Sequence, residues 1–498
     1  MKRRQILLNA ATTFGQVIGS AAMLFFLYRF LIRTIGVERL GIWSLVLATT
    51  SVVTLANQGF STSIVKFVAK YAARDETEEV SALMQTAVIS VGVGLAVISV
   101  ALYPAAKWIL HVVLPQSRFA EACAILPLAL LSLGTTVLTG TLQAGLAGYQ
   151  AIALCNYMEL GGSFSYLAFA VLFVPKHGLM GLAWAQAIQG AAFLLMTWLL
   201  LRGRIRELPL IPHRWSRALF REIAGYGFRF QLITASQALR EPVTKALITK
   251  FGGLAMTGFY DLAARWVFTF RELLVQSSQV LVPTVSHLQE REPGAIPALY
   301  RESYRLIFFL AVPTFASLTI VSPLVSRIWI GRYEPIFVEF VAILAAGWLI
   351  NVLSNPAYVV DLGTGSLRWV LAGCVGTAIL NASLGFFAGV HGGGTAVVAA
   401  TAISLALGYV VVLVAYHVEN RVPFGQLLPK ESRAVLTASL AGALVLIPLF
   451  CTNSWVSMPT LQVTGENIAA LVAIVLIPMW LHPMRKRLVR WVSSRVAA

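Results

Sequence analysis

Apolar stretches of about twenty residues recur along the whole chain, separated by short polar breaks. A helix needs about 20 such residues to cross a bilayer core. Fourteen stretches qualify, at about 9–31, 40–59, 80–102, 121–143, 151–173, 179–201, 224–244, 259–284, 305–325, 336–359, 369–389, 395–416, 434–451 and 467–482. The period-two alternation of a transmembrane barrel is absent. The pattern predicts an all-α polytopic membrane protein of about fourteen transmembrane helices, with short outward loops and no inserted soluble domain. The N-terminal basic start resembles a signal peptide, but its apolar region is too long and no cleavage site of small residues follows. It reads as the first span.

Composition agrees, with 58% hydrophobic and only 12% charged residues. The net charge of +17 has no nucleic-acid recognition module beside it, so a nucleic-acid partner is not expected. The basic residues orient the spans instead. With the N-terminus inside, the cytoplasmic segments hold 24 of the 38 basic residues, the outward segments hold 9, and five lie inside spans. That bias predicts cytoplasmic N- and C-termini. Four cysteines, Cys123, Cys155, Cys374 and Cys451, lie singly in spans and read as small core residues.

The chain also repeats itself. "GVERLGIW" (36–43) and "GLAMTGFY" (253–260) share a Gly-x4-Gly frame 217 residues apart. Gly148 and Gly365 keep that offset, and His177-Gly178 pairs with His391-Gly392 at 214. The repeat unit holds six spans, so both copies have one orientation. This predicts two parallel six-helix lobes related by a pseudo-two-fold along the membrane normal, plus two extra C-terminal helices. The N-lobe spans 1–201, a cytoplasmic amphipathic linker 202–223, the C-lobe 224–417, and the last two spans with a basic tail 418–498. A duplicated bundle without an ATPase suggests transport by alternating access.

The stretch 36–76 carries a resemblance. Its Gly36-x-Glu38-x-Leu40-Gly41-Ile42-Trp43 start, Asn57-x-Gly59-Phe60 turn and Lys66-to-Arg74 basic helix resemble the polysaccharide-transporter branch, the O-antigen flippases, of the multidrug/oligosaccharidyl-lipid/polysaccharide flippase superfamily. The six-plus-six repeat and two extra spans extend the likeness over nearly the whole chain. The resemblance implies flipping of an undecaprenyl-diphosphate-linked oligosaccharide from the inner to the outer leaflet of a bacterial cytoplasmic membrane. It implies the lipid-linked oligosaccharide as partner, with anionic membrane lipids, a polysaccharide polymerase and glycosyltransferases around it. It names no glycan.

Five arginines lie within spans: Arg29, Arg229, Arg240, Arg265 and Arg271. Unpaired and facing lipid, they would cost roughly 12–17 kcal/mol at about 2.5–3.5 kcal/mol each. They must snorkel, pair or line water. Arg29, near the outer end of span 1, suits either snorkelling or a cavity. Asp261–Arg265 and Glu241–Lys245 have the acid-before-base i,i+4 spacing of helical ion pairs. Arg229, Arg240 and Arg271 have no partner at such spacing, since Glu272 points about 100° from Arg271. Arg229 and Arg240 share one face roughly 16 Å apart, with Ser236 between them. Such a ladder suits a diphosphate, which guanidinium binds bidentately. The competing reading is pairing with Glu159, Glu272 or Asp361.

Polar stripes mark the N-lobe: Asn9, Gln16 and Ser20 on span 1, and Thr50, Thr54, Asn57 and Ser61 on span 2. They either bond sugar hydroxyls or join helices. Glu159, Asp361, Asp261 and Glu241 are candidates for ion coupling. Pro127, Pro242 and Pro356 are candidate bends. No GxxxxGK[ST], HExxH or GxSxG occurs. No cofactor, metal or catalytic residue is expected, and "HGGG" (391–394) reads as a loop of the repeat. The rival functions are a cation-coupled multidrug exporter of the same fold and a membrane enzyme acting on the lipid-linked glycan. An enzyme would need acids or histidines in a sizeable outward loop.

Overall fold

Residues 3–51, 55–72, 74–149, 151–205, 207–225, 228–279, 281–451 and 477–485, with positions 469 and 472, are described in the computed structural model of the chain. No strand occurs among them. Seven of the helices are long and apolar enough to cross a membrane, and the protein is a multi-pass membrane protein.

The helices run in the order α1 (Arg3–Ser51), α2 (Leu55–Ala72), α3 (Thr77–Val113), α4 (Gln116–Gly148), α5 (Ile152–Arg204), α6 (Arg217–Gly225), α7 (Phe228–Gln279), α8 (Leu281–Arg291), α9 (Ile296–Trp329), α10 (Pro335–Thr364), α11 (Arg368–Glu419), α12 (Arg433–Cys451) and α13 (Ile477–Leu481). Four of these are too long for one crossing. α5, at 53 residues, would extend about 80 Å, against a core of about 30 Å. Each is broken by one glycine with positive φ: Gly36 (φ 82, ψ 167), Gly178 (φ 56, ψ −131), Gly253 (φ 85, ψ 174) and Gly393 (φ 68, ψ −160). A side chain would be strained there, so glycine makes each reversal. The predicted loops between spans 1 and 2, 5 and 6, 7 and 8, and 11 and 12 are these glycine reversals. Lys245, expected in the loop after span 7, is helical and 4% exposed.

The dihedrals show the repeat in the backbone. Gly36 and Gly253 differ by only a few degrees at the 217-residue offset. The other pair is a correction: Gly393, not Gly392, has the positive φ that matches Gly178. The offset there is thus 215. The HGGG segment is this reversal, with His391 Nδ1 bonded to the Phe387 carbonyl at 2.8 Å.

The chain divides into two compact units, Met1–Gly258 and Phe259–Ala498. In the first, α1 packs on α5, and α4 lies against α2, α3 and α5. A Cβ on Gly41 would strike the Leu254 carbonyl, and one on Gly258 the Val37 carbonyl. Those two contacts exchange under the repeat offset, so they are reciprocal. In the second unit α10 packs on α8, α9 and α11, and α12 lies on α9. Pro127, Pro242 and Pro356 all sit inside helices. Half of predicted span 14 and the segment 452–466 lie outside the described residues.

The linker expected as an interfacial helix is mostly irregular, and its helix α6 is 9 residues long. Polar side chains on α3 hold it. Gln85 Oε1 accepts from the backbone N–H groups of His213 and Arg214, both at 3.1 Å. Thr86 accepts from Ser216 N at 3.2 Å, and Ser81 donates to the Glu207 carbonyl at 2.9 Å. Leu219 and Ile223 of α6 enter the apolar core of α2, α3 and α5. Tyr71 donates to Glu222 at 3.2 Å. Burial, with the Glu222 carboxylate beside it, raises the Tyr71 phenol above its ordinary pKa.

Candidate functional site

In the first unit a polar seam joins α1 to α5. Asn156 Nδ2 donates to Thr12 Oγ1 at 3.1 Å and Thr13 Oγ1 at 3.0 Å. One turn further, Gln16 Nε2 donates to Glu159 Oε2 and to Ser20 Oγ, both at 3.4 Å. Ser163 donates to Ser20 Oγ at 3.0 Å. Steps of three or four residues place these groups along one side of each helix. Gln16 and Ser20 therefore join helices, one of the two roles open to them from sequence. Glu159 keeps an exposed side chain with no cationic partner among the described residues. Beside this seam lies a cleft of about 580 Å³ whose lining includes Ser61, Lys66, Gln143 and Cys155. Gln143 reaches toward the Glu159 carboxylate from this cleft. Sequence reasoning passed over Gln143, Asn156 and Ser163; their spacing opposite the span 1 stripe was the available signal.

Thr50 is 1% exposed and its hydroxyl donates to the Val46 and Leu47 carbonyls of its own helix. It is packed away from open space. Thr54 lies outside the described residues, as do the side chains of Asn9, Asn57 and Arg229. Ser236 and Arg240 are half-buried, and both engage neighbouring groups. Arg29 is half-buried with no acidic or hydrogen-bonding partner among the described residues. The Glu241–Lys245 pair forms at 2.9 Å, with the lysine almost buried and the acid exposed.

In the second unit Asp261, 1% exposed, holds Arg265 Nε at 2.9 Å. Burial of a charged acid is costly without such a partner, and the i,i+4 spacing supplies it. Arg271 departs from expectation. Its NH1 reaches Glu272 Oε2 at 2.9 Å, and its Nε donates to Asn351 Oδ1 at 3.2 Å. Adjacent side chains on a helix diverge at Cβ, but both of these are long enough to turn back toward each other. The guanidinium also lies 5.4 Å from the Phe268 ring centroid and 5.0 Å from that of Trp348. The two rings meet edge to face at 5.6 Å. Arg271 is thus fixed in a plane by α7 and α10, and its expected lack of a local partner is corrected.

Asp361 lies near the end of α10 at 7% exposure, with no hydrogen bond or ion pair to its carboxylate among the described residues. Of the four carboxylates considered for ion coupling, Asp261 and Glu241 hold cations. Glu159 and Asp361 hold none among the described residues. No group of three His, Cys, Asp or Glu able to hold a metal occurs among those residues. Cys374 is buried, and Cys123 and Cys155 are half-buried and unpaired.

Residues 30–337 match the polysaccharide biosynthesis protein family, which is more than half of the chain. The chain belongs to that family. No curated protein matches it in sequence. Among solved structures it is similar to an inward-facing multidrug resistance MATE transporter of the MOP superfamily, with TM-score 0.71 and 13% identity over 81% of this chain and 98% of that one. It is equally similar to the lipid II flippase MurJ in an inward closed conformation, with TM-score 0.70 and 13% identity over 95% of this chain and 98% of that one. A MOP superfamily transporter from Pyrococcus furiosus gives TM-score 0.54 and 12% identity over 84% and 94%. At such identities these likenesses concern the fold. This member of the family has the fold of those transporters.

Proposed function

We propose that this family member is a flippase. It carries an undecaprenyl-diphosphate-linked oligosaccharide from the inner to the outer leaflet of a bacterial cytoplasmic membrane by alternating access, with both termini cytoplasmic. The observation that carries the reading is membership of a polysaccharide biosynthesis family by a chain with a transporter fold, one that a lipid flippase shares. Arg29 and Arg271 contribute to diphosphate binding, with Arg229, Arg240 and Arg265 as further cations. Arg29 supports this because a half-buried guanidinium without an acid suits a phosphate. At Arg271 the aromatic walls and Asn351 fix the guanidinium plane, which favours bidentate contact once phosphate displaces Glu272.

The test is flipping of a lipid-diphosphate glycan in proteoliposomes, beside surface glycan in a deletion strain. Arg29→Ala and Arg271→Ala are expected to lower flux at least tenfold with normal membrane levels, and Arg→Lys to recover it partly. A deletion strain with normal surface glycan would sink the reading.

One observation favours a second reading, a cation-coupled multidrug exporter. The fold is shared with a multidrug resistance transporter, and Glu159 and Asp361 are acids without cationic partners among the described residues. Cation-driven efflux of a hydrophobic dye by the same vesicles, without lipid flipping, would select it.

A further inference from the structure

A cavity of about 300 Å³ opens in the second unit where the start of α9 meets the connection from α11 to α12. This is the lower end of the usual range for ligand pockets. Its walls are the rings of Tyr300 and Tyr304 and the imidazole of His417. Tyr300 Oη and His417 Nε2 are 2.7 Å apart, and His417 Nδ1 lies 3.2 Å from the Val422 carbonyl. That carbonyl can only accept, so Nδ1 carries the proton and Tyr300 donates to Nε2. Tyr304 donates to the Leu427 carbonyl at 3.1 Å. The aromatic groups are therefore satisfied among themselves.

The remaining lining groups are only partly satisfied among the described residues. Arg301 spends its Nε on the Pro297 carbonyl at 3.3 Å, and its terminal nitrogens have no partner among the described residues. Arg305 NH1 makes loose ion pairs with Glu302 at 3.7 Å and with Glu431 at 3.6 Å. Gln426 buries its Oε1 with no donor among the described residues. The lining thus holds two guanidinium groups, a carboxylate loosely paired with one of them, and a buried amide oxygen. An anion alone would leave Gln426 Oε1 without a donor, and a cation alone would leave the Arg301 terminal nitrogens without an acceptor. The cavity lies at the start of α9 and the end of α11, both long and apolar enough to cross a membrane.

The first unit shows that the fold does not require this chemistry. At the offset of 217, Tyr300 and Tyr304 correspond to Leu83 and Ala87, and at the 215 of the Gly178 and Gly393 helices Tyr416 corresponds to Leu201, all buried in one apolar core.

We propose that this cavity binds a zwitterionic lipid headgroup, a phosphodiester bearing a primary ammonium. Its phosphate meets Arg301 and Arg305. Its ammonium meets Glu431 and Gln426 against the tyrosine rings, where cation–π attraction adds to the ion pair.

Delipidated protein in detergent is titrated with short-chain phosphatidylethanolamine, short-chain phosphatidylglycerol and inorganic phosphate, read by native mass spectrometry and thermal shift. The ethanolamine lipid is expected to bind at least tenfold tighter than either alternative. Arg301 is exposed, so Arg301→Glu should fold normally and lose about tenfold in affinity, near 1.4 kcal/mol. Glu431→Gln should erase the preference for ethanolamine over glycerol headgroups. Arg214→Ala, an exposed cation of the first unit, should change nothing. Equal binding by wild type and Arg301→Glu overturns the proposal. So does an equal shift with inorganic phosphate, which would assign the cavity to the free ion, or a preference for phosphatidylglycerol.

Discussion

Each repeat copy has a corner where its sixth span passes the chain to a connector, and the two corners solve one geometric problem with different chemistry. In the first, Leu83, Ala87, Ala144 and Leu201 close a dry core, and the polar work is moved outward to Ser81, Gln85 and Thr86, which hold the linker. In the second, the corresponding positions are Tyr300, Tyr304, Asp361 and Tyr416. There the polar groups are inside, and a cavity opens beside them. Other core positions agree: Val68 and Val285 are both 0% exposed. The helices are therefore placed alike while the corner differs. What the packing demands is volume and shape. The choice of hydroxyl, imidazole and carboxylate in one copy is extra, and extra buried polarity points to a ligand or a proton.

The largest break in this comparison comes from importing charge into the dry corner. Leu83 is fully buried with apolar neighbours. Leu83→Asp is expected to cost at least about 3 kcal/mol, because no buried partner compensates the carboxylate. Folded protein recovered from membranes should fall sharply. Tyr300→Leu, the reverse exchange, should cost less and leave a folded protein. Similar yields for the two variants would mean the corners do not differ as described.

Much of this architecture was legible in the sequence. The spans announced themselves because a bilayer requires long apolar helices, and Gly36 and Gly253 announced the repeat because only glycine tolerates those dihedrals. Asp261–Arg265 and Glu241–Lys245 were readable from helical spacing alone. The aromatic clamp on Arg271 was not, since Trp348 lies on another helix and nothing local ties it to residue 271. Nor was the strapping of the linker: a segment with basic and aromatic residues looks interfacial until Gln85 is seen to accept two of its N–H groups. His391–Gly392 was aligned by its dipeptide, whereas the reversal depends on φ and falls one residue later.

The shared backbone can be tested apart from the corners. Gly36 and Gly253 have open space around a would-be Cβ, so Gly→Ala at either carries only backbone strain, about 1–3 kcal/mol. The two costs should be equal within error. Gly41→Ala differs in mechanism, since its Cβ meets a backbone carbonyl that cannot step aside; overpacking of about 1–3 kcal/mol is expected. Thermal melting of the three variants in detergent decides this. An undisturbed Gly41→Ala would argue against the close approach of Gly41 to Leu254.

The straps come next in size. Gln85→Leu keeps bulk but deletes the acceptor of two N–H groups. Because His213 and Arg214 are exposed, water takes over part of that role, and a loss of about 1 kcal/mol is expected. The linker should become more sensitive to protease than the connector of the second unit. Unchanged cleavage would show that Leu219 and Ile223 suffice to hold it.

The smallest expected effect is at Asp361. Its carboxylate is buried without a hydrogen bond or ion pair among the described residues, in a corner whose counterpart holds Ala144. A charge in that setting works against folding. Asp361→Asn keeps the shape and removes the charge, so stability should change by no more than about 1 kcal/mol, in the direction of gain. Flux is the informative readout. If the acid serves coupling, Asp361→Asn lowers transport while the melting temperature holds or rises. If it is only a cost of the polar corner, transport is unchanged as well. A variant that melts well below wild type would refute both readings, because it would mean that the carboxylate has a structural partner and that the two corners are held together by different forces.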